Sequence, residues 1–347
     1  GAEQRIGKGI RETFRNTTNS VVSLWEGVEM LEFLLEKLER SVPKWIRNRL
    51  EEAKDVLECF CSSDEKYVRY LYLDKEQLPV LCAASREIPG LLRKMLWDRE
   101  EEISAILTSG TLKAGADFLR TRQVTGLEAR AGVQEYVAES PFSYEKNCLL
   151  YLPKTLEHCR RGSREEALMV ANHIHSLICS TYGHTLVLFT SYTLMGSVYQ
   201  ILRDSLPFPM VEVWRHSQEE ILRFKTMENG VLFAAGSCWE GVDFPGDMVS
   251  SLIIVKLPFA VPDPISEAEK ETYESLEAYI QSIIVPDMQK RLRQGFGRAI
   301  RTETDTCVVS ILDIRAVKGG KYHEDVMCAL PPCRIAEELK EVQDFIR

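Results

Sequence analysis

Between Val21 and about Phe60 the apolar residues keep helical spacing, first Val21, Leu24, Trp25, Val28, Leu31, Leu35 and Leu38, then Val42, Trp45, Ile46, Leu50, Ala53 and Leu57. The pattern predicts two amphipathic helices forming an αα-hairpin. Ser41 and Pro43 mark the break, because serine caps helices and proline is tolerated in a first turn. Two strand-like runs follow, Tyr67 to Leu73 and Leu78 to Ala83, and then a helix containing Leu91 to Trp97.

From Ile103 the texture changes. Short β-branched and apolar runs alternate with helical stretches, the signature of a parallel sheet with crossover helices. The predicted strands are Ala105 to Leu107, Cys148 to Leu152, Leu186 to Thr190, Val211 to Trp214, Val231 to Ala235, Leu252 to Lys256 and Cys307 to Ile314. The predicted helices are Arg164 to Ser180, Thr193 to Leu206, Glu219 to Met227, Glu267 to Ile284 and Ile335 to Phe345. In such a sheet, ligands bind at the loops after the carboxyl ends of the strands. Those loops are Thr108-Ser109-Gly110-Thr111, Thr190-Ser191-Tyr192 and Gly236-Ser237-Cys238-Trp239-Glu240-Gly241-Val242-Asp243. Their hydroxyls, glycines, aromatics and acids suit contacts to phosphate or a nucleic-acid backbone, and they are also ordinary turn residues.

Composition changes the picture in one respect. The chain of 347 residues has a formal net charge of −9, which argues against indiscriminate binding to polyanions, so a nucleic-acid site must be a local basic patch. One exists: Met288 to Arg301 carries Lys290, Arg291, Arg293, Arg298 and Arg301 and no acid after Met288. If helical throughout, it would project Gln294, Arg298 and Arg301 from one face. A guanidinium stays charged and can bind two phosphate oxygens at once, so paired arginines suit a phosphoryl group in transfer. A solvated basic helix face is the competing explanation. Ten scattered cysteines lack metal-ligand spacing and read as buried free thiols, so no metal site is assigned. No apolar run reaches the ~18–20 residues of a membrane span, and residues 1–20 lack the apolar core of a signal peptide, so a cytoplasmic protein without a membrane partner is expected.

Several words together carry a resemblance. Gln294-Gly295-Phe296-Gly297-Arg298-Ala299-Ile300-Arg301 resembles motif VI of superfamily 2 helicases, and Gly236 to Gly246 resembles motif V in its DinG form. Leu188 to Tyr192 resembles motif IV, and Leu107 to Leu112 motif III; Ser140-Pro141-Phe142, Lys256-Leu257-Pro258-Phe259 and Asp313-Ile314-Arg315 also fall in family order. Over roughly residues 100 to 320 the chain resembles the C-terminal part of a DinG/XPD-type DNA helicase.

The resemblance implies an α/β fold, a RecA-like parallel sheet with flanking helices plus a small helical arch subdomain at the N-terminus. It divides the chain into 1–66 (helical hairpin of the arch), 67–112 (returning segment with motif III) and 113–347 (second RecA-like domain). It implies an ATP-dependent 5′ to 3′ DNA helicase acting in DNA repair, with ATP and Mg2+ held jointly with a first motor domain and single-stranded or forked DNA as partner. Arg298 and Arg301 would be the arginine finger and its neighbour, Gln294 a nucleotide contact, and Glu240 and Asp243 the acids that orient the arginines. Gly241, Gly295 and Gly297 would allow close approach to nucleotide. Ser109, Thr111, Thr190, Ser191, Tyr192 and Trp239 would line the DNA path; Asp243 as a turn cap and Tyr192 and Trp239 as core aromatics remain open. The family's pattern is incomplete, because neither Gly-x-x-x-x-Gly-Lys-Ser/Thr nor an Asp-Glu-Ala-His-like sequence occurs. The first residue, Gly1, adds to the expectation of a fragment, inactive alone, of a longer protein; an iron–sulfur cluster, if any, would belong to the missing part. The alternative is a non-catalytic nucleic-acid-binding or scaffolding module derived from a helicase.

Overall fold

A computed structural model describes residues 12–13, 18–37, 43–61, 64–74, 76–99, 104–113, 117–214, 218–239, 242, 244, 246–300 and 302–347. The chain divides into two units, one of residues 1–103, 123–129 and 261–280, the other of residues 104–122, 130–260 and 281–347. Residues 261–280, assigned above to the second motor domain, thus cluster with the first unit.

The first unit contains the expected helical hairpin, Thr18–Lys37 and Lys44–Cys61. Pro43 stands just before the second helix, its carbonyl accepting from Ile46 N at 2.9 Å, while Ser41 lies outside the described residues. Lys54 of the second helix reaches Glu32 of the first at 2.8 Å, and Val28 and Phe60 are buried. Two strands follow, β2 (Tyr67–Leu73) and β3 (Pro79–Ser85), paired antiparallel, with β1 (Glu12–Thr13) along the outer edge of β2. The Asp74 carboxylate accepts from Glu76 N and Leu78 N and closes the turn between them. The predicted helix at Leu91 to Trp97 starts as an α-helix over Ile88–Leu92 and loosens into a π turn over Arg93–Trp97.

The second unit is a seven-stranded, wholly parallel sheet built from β4 (Cys148–Tyr151), β5 (Thr185–Phe189), β6 (Met210–Val213), β7 (Val231–Ala235), β8 (Ser251–Ile254), β9 (Cys307–Ile311) and β10 (Arg334–Ala336). Its order is β10-β4-β9-β8-β5-β7-β6. The central strands are buried along their whole length, which explains why they read as continuous apolar runs rather than alternating ones. Alternation still sorts their faces. Leu149, Val187, Phe189, Phe233 and Ile253 share one core with Val170, Ile174 and Leu177 of the Arg164–Ser180 helix and Met195 and Val198 of the Tyr192–Leu202 helix. Leu188, on the other face, lies near Gly295 of the Val285–Phe296 helix.

Four sequence expectations are corrected. Ala105 to Leu107 form no strand; residues 104–109 are exposed, with Ile106 91% exposed, and 105–107 pair with no strand among the described residues. Glu267 to Ile284 is not one helix but Pro264–Lys270, a break, Leu276–Tyr279 and a π turn over Ile280–Ile284; Ser275 caps the restart by accepting from Ala278 N. Ile335 lies in β10 and the last helix begins only at Leu339. The basic stretch is helical only to Phe296, with Gly297 as its C-terminal cap, so Arg298 lies in the following turn and shares no helix face with Gln294.

Candidate nucleotide and nucleic-acid site

The Val285–Phe296 helix lies near the carboxyl ends of β5 and β7, and glycine explains how closely it does so. A Cβ built on Gly295 would stand 2.7 Å from Cζ3 and 2.8 Å from Cε3 of Trp239. Only hydrogen fits there, so the glycine's cost to the helix, about 1 kcal/mol relative to alanine, is offset by contact of its backbone with the indole. Trp239 itself is 8% exposed and donates its indole N–H to the carbonyl of Phe189, the last residue of β5, at 2.9 Å. Motif V is thereby fastened to the strand leading into motif IV and roofed by the helix of motif VI. With so little of the indole exposed, the core-aromatic alternative left open for Trp239 is the one its burial favours.

Arg298 completes the arrangement. Its Nη1 donates to the Val242 carbonyl and its Nη2 to the Trp239 carbonyl at 3.3 Å. One guanidinium therefore holds both ends of the 239–242 segment, which in motif V carries Glu240 and Gly241. Glu240, Gly241, Asp243 and Arg301 lie outside the described residues. Gln294 is half-buried, and its Oε1 is a buried acceptor without a donor among the described residues. Such an atom costs about 1–3 kcal/mol unless a ligand or water supplies the missing hydrogen.

Two neighbours on the helix, Gln289 and Arg293, tie it down on another side. Gln289 Nε2 donates to Asp325 O at 2.9 Å; Arg293 donates from Nε to Ala329 O at 3.1 Å and from Nη1 to Lys113 O at 2.7 Å. Burial lowers the Arg293 pKa, but from a start so high that the charge stays. Arg293 was counted in the sequence only as one more cation. Its role became visible when the helix packed against residues 323–329 and the segment following Ser109 and Thr111.

Ser109 and Thr111 form a local turn, Thr111 N donating to Ser109 Oγ at 3.2 Å, and Ser109 is exposed. Thr190 is exposed beyond β5, whereas the Ser191 hydroxyl accepts from Leu194 N at 3.3 Å and caps the Tyr192–Leu202 helix. Tyr192 is half-buried and stacks on Trp214 with ring centroids 5.6 Å apart and planes at 19°. Its hydroxyl fills the space beside Gly236, whose φ of +64° and lack of a Cβ permit the approach. Trp214, taken from the sequence as the last residue of a strand, lies just past β6 and is 46% exposed; an aromatic at a strand end is the signal for such a surface.

At the ends of β8 and β9, the Asp313 carboxylate receives Leu257 N at 2.9 Å, Arg315 N at 3.0 Å and a bidentate Arg315 guanidinium at 3.0 and 2.7 Å. Burial pushes the Asp313 pKa up, but the Arg315 guanidinium and the two backbone amides outweigh it and hold the carboxyl below its ordinary range. The Arg315 guanidinium also lies 4.8 Å from the centroid of Phe259. These contacts join the Lys256-Leu257-Pro258-Phe259 and Asp313-Ile314-Arg315 words into one rigid corner.

With this geometry in hand, similarity to known proteins is specific. The helicase C-terminal domain family matches residues 174–333. The ATP-dependent DNA helicase YoaA of Haemophilus influenzae is 33% identical over 71% of this chain, and the ATP-dependent DNA helicase DinG of Photobacterium profundum 32% identical over 75%. The 3′-5′ exonuclease DinG of Bacillus subtilis is 28% identical over 80%. The chain spans 38%, 38% and 31% of those relatives' lengths, respectively. Among solved structures, an apo XPD structure superposes with a TM-score of 0.58 at 18% identity, covering 96% of this chain and 67% of that one. A second XPD helicase structure gives 0.55 at 18% identity, over 94% of this chain and 58% of that one, so the fold is shared. Residues 174–333 thus match the helicase C-terminal domain family, and the chain is similar in sequence to part of the DinG and YoaA helicases and in its RecA-like fold to XPD.

Proposed function

We propose that the chain supplies the second motor half of an ATP-dependent DNA helicase, closing over ATP and Mg2+ held by a first motor domain and contributing part of a single-stranded DNA groove. The observation that carries the reading is the Trp239 junction. One buried indole touches the strand end leading to Thr190 and the helix bearing Gln294, while Arg298 grips the carbonyls on either side of Glu240 and Gly241. A displacement at the nucleotide side is thus transmitted through packed groups to the strand end where nucleic acid would lie.

In this reading Gln294 Oε1 accepts from a donor that the bound state provides, a nucleotide hydroxyl or amino group or a water. The arginine-finger role implied by the resemblance falls to Arg301, because the Arg298 guanidinium is engaged by the Trp239 and Val242 carbonyls. ATP supplies the free energy when bound; these side chains orient, exclude water and stabilise charge. On the DNA side, Ser109, Thr111 and Thr190 offer hydroxyls to phosphates, and the exposed face of Trp214, backed by Tyr192, offers a stacking surface worth about 1–3 kcal/mol per base. The 5′ to 3′ direction goes with the DinG/XPD resemblance.

The test is ATP turnover by the full-length protein with and without single-stranded DNA, followed by unwinding of duplexes with a single 5′ or 3′ tail. DNA-stimulated turnover and unwinding from the 5′ tail are expected. Arg301→Ala should reduce turnover by about 10³–10⁵, the range for arginine fingers, with DNA affinity changed little. Equal losses in binding and turnover would instead favour the basic-surface module.

A further inference from the structure

Three thiols stand in a row across the amino ends of the strands, the opposite end of the sheet from the loops described above. Cys148 opens β4, Cys307 opens β9, and the two are register partners. Arg334 of β10 pairs with Leu149, so Cys333, the residue before it, continues the row on the other side of Cys148. Residues at one register in adjacent parallel strands point to one face about 4.8 Å apart, within the roughly 4.4–6.8 Å between Cα atoms that a disulfide spans. A row is a poor cage for a metal, since sulfurs in line do not close tetrahedrally around an ion.

The three differ in access. Cys148 and Cys307 are buried, while Cys333 is half-buried beside the edge strand, its Sγ 3.2 Å from the carbonyl of Pro331. They differ in acidity as well. A hydrogen bond from Cys148 lowers the Cys333 pKa; that same bond, then burial, raises the Cys148 pKa far above the thiol range. The pair thus has a half-buried sulfur whose thiolate Cys148 favours and, behind it at the same register, a second thiol that must give up its proton as it attacks.

We propose that Cys333 is a peroxide-reactive thiol that forms a reversible disulfide with Cys148, fastening the edge strand β10 to β4. The Cys333 thiolate attacks one oxygen of hydrogen peroxide and breaks the O–O bond, giving a sulfenic acid at Cys333 and hydroxide. The Cys148 sulfur then attacks the Cys333 sulfur and displaces its hydroxyl as water, the Cys148 proton leaving with it. Overall, two thiols and one peroxide become one disulfide and two waters, and an external dithiol reverses the step. The product secures the segment leading into the Leu339–Ile346 helix, since Leu152 N already bonds Ala336 O at 2.9 Å and, among the described residues, this short strand has a sheet neighbour on one side only.

Peptide mapping of the full-length protein after limited peroxide and alkylation tests the proposal. The expected result is a Cys148 peptide joined to a Cys333 peptide, about 2 Da lighter than the two thiols together, separated again by dithiothreitol, and an apparent melting temperature several degrees higher in the oxidised form. Cys333→Ser should abolish the cross-link, and Cys179→Ser, at an exposed thiol outside the row, should leave it intact. A Cys148 to Cys307 cross-link, sulfinic acid accumulating at Cys333 without a cross-link, or an unmodified Cys333 at peroxide levels that oxidise Cys179 would each overturn it. Mapping the unmutated protein decides the matter even if a serine variant folds poorly.

Discussion

Gly295 has no alternative at its position. In Gly295→Ala the gain in helix propensity, about 1 kcal/mol, opposes an overpacking cost of about 1–3 kcal/mol, because the methyl would sit 2.7 Å from a buried ring that a hydrogen bond prevents from moving. Packing wins, so the variant should lower thermal stability slightly and DNA-stimulated turnover strongly, measured side by side on the full-length protein. A second residue-scale prediction concerns Arg298. Lysine keeps the charge but has no planar fork to span the Trp239 and Val242 carbonyls. Arg298→Lys should therefore resemble Arg298→Ala in ATP turnover, and near-normal turnover by the lysine variant would show that charge alone suffices.

At the scale of elements, the corner between β8 and β9 makes a prediction in pH. The Asp313 carboxyl lies below its unfolded value, so the unfolded chain binds more protons in the window between the two. The resulting stability is present above the unfolded carboxylate value, about 4, and is lost as pH falls through the folded one. Asp313→Ala, which leaves the Leu257 amide without its acceptor and Arg315 part-exposed without its partner, should cost about 1–3 kcal/mol near neutrality and flatten the acid limb of stability against pH, seen by denaturant unfolding at a series of pH values. The strands and most helices were legible because buried parallel strands leave unbroken apolar runs and flanking helices keep their stripe: Arg164–Ser180 and Val231–Ala235 were read to the residue. What escaped the sequence depended on contacts distant along the chain. The 3-residue strand β10 is too short to carry a period and exists because β4 accepts it. Arg293 looked like one cation among five until its acceptors, Ala329 and Lys113, came into reach. The motif VI helix was drawn too long because charge spacing suggested one face, whereas the helix ends at Phe296 and the chain turns from Gly297.

For the whole molecule, the relevant quantity is how much of a motor is present. The chain spans about two-fifths or less of its relatives' lengths, has no Gly-x-x-x-x-Gly-Lys-Ser/Thr in its sequence and carries a net charge of −9. The 347 residues alone should accordingly show negligible ATP turnover and weak DNA binding that falls steeply between 50 and 200 mM salt, about tenfold or more if only a few phosphates are contacted. Robust hydrolysis by the isolated chain would mean that the phosphate chemistry is housed here after all.

The enclosed indole has a spectroscopic consequence. Trp239 is shielded and hydrogen-bonded, whereas Trp45 and Trp214 face solvent, so an aqueous quencher such as acrylamide will extinguish the latter pair first and leave a blue-shifted residual emission. The difference between this signal and that of a Trp239→Phe variant isolates a single optical probe at the junction. A red shift of that probe on adding nucleotide or DNA, timed by stopped flow, would reveal when the joint loosens within each turnover, with no extrinsic dye attached.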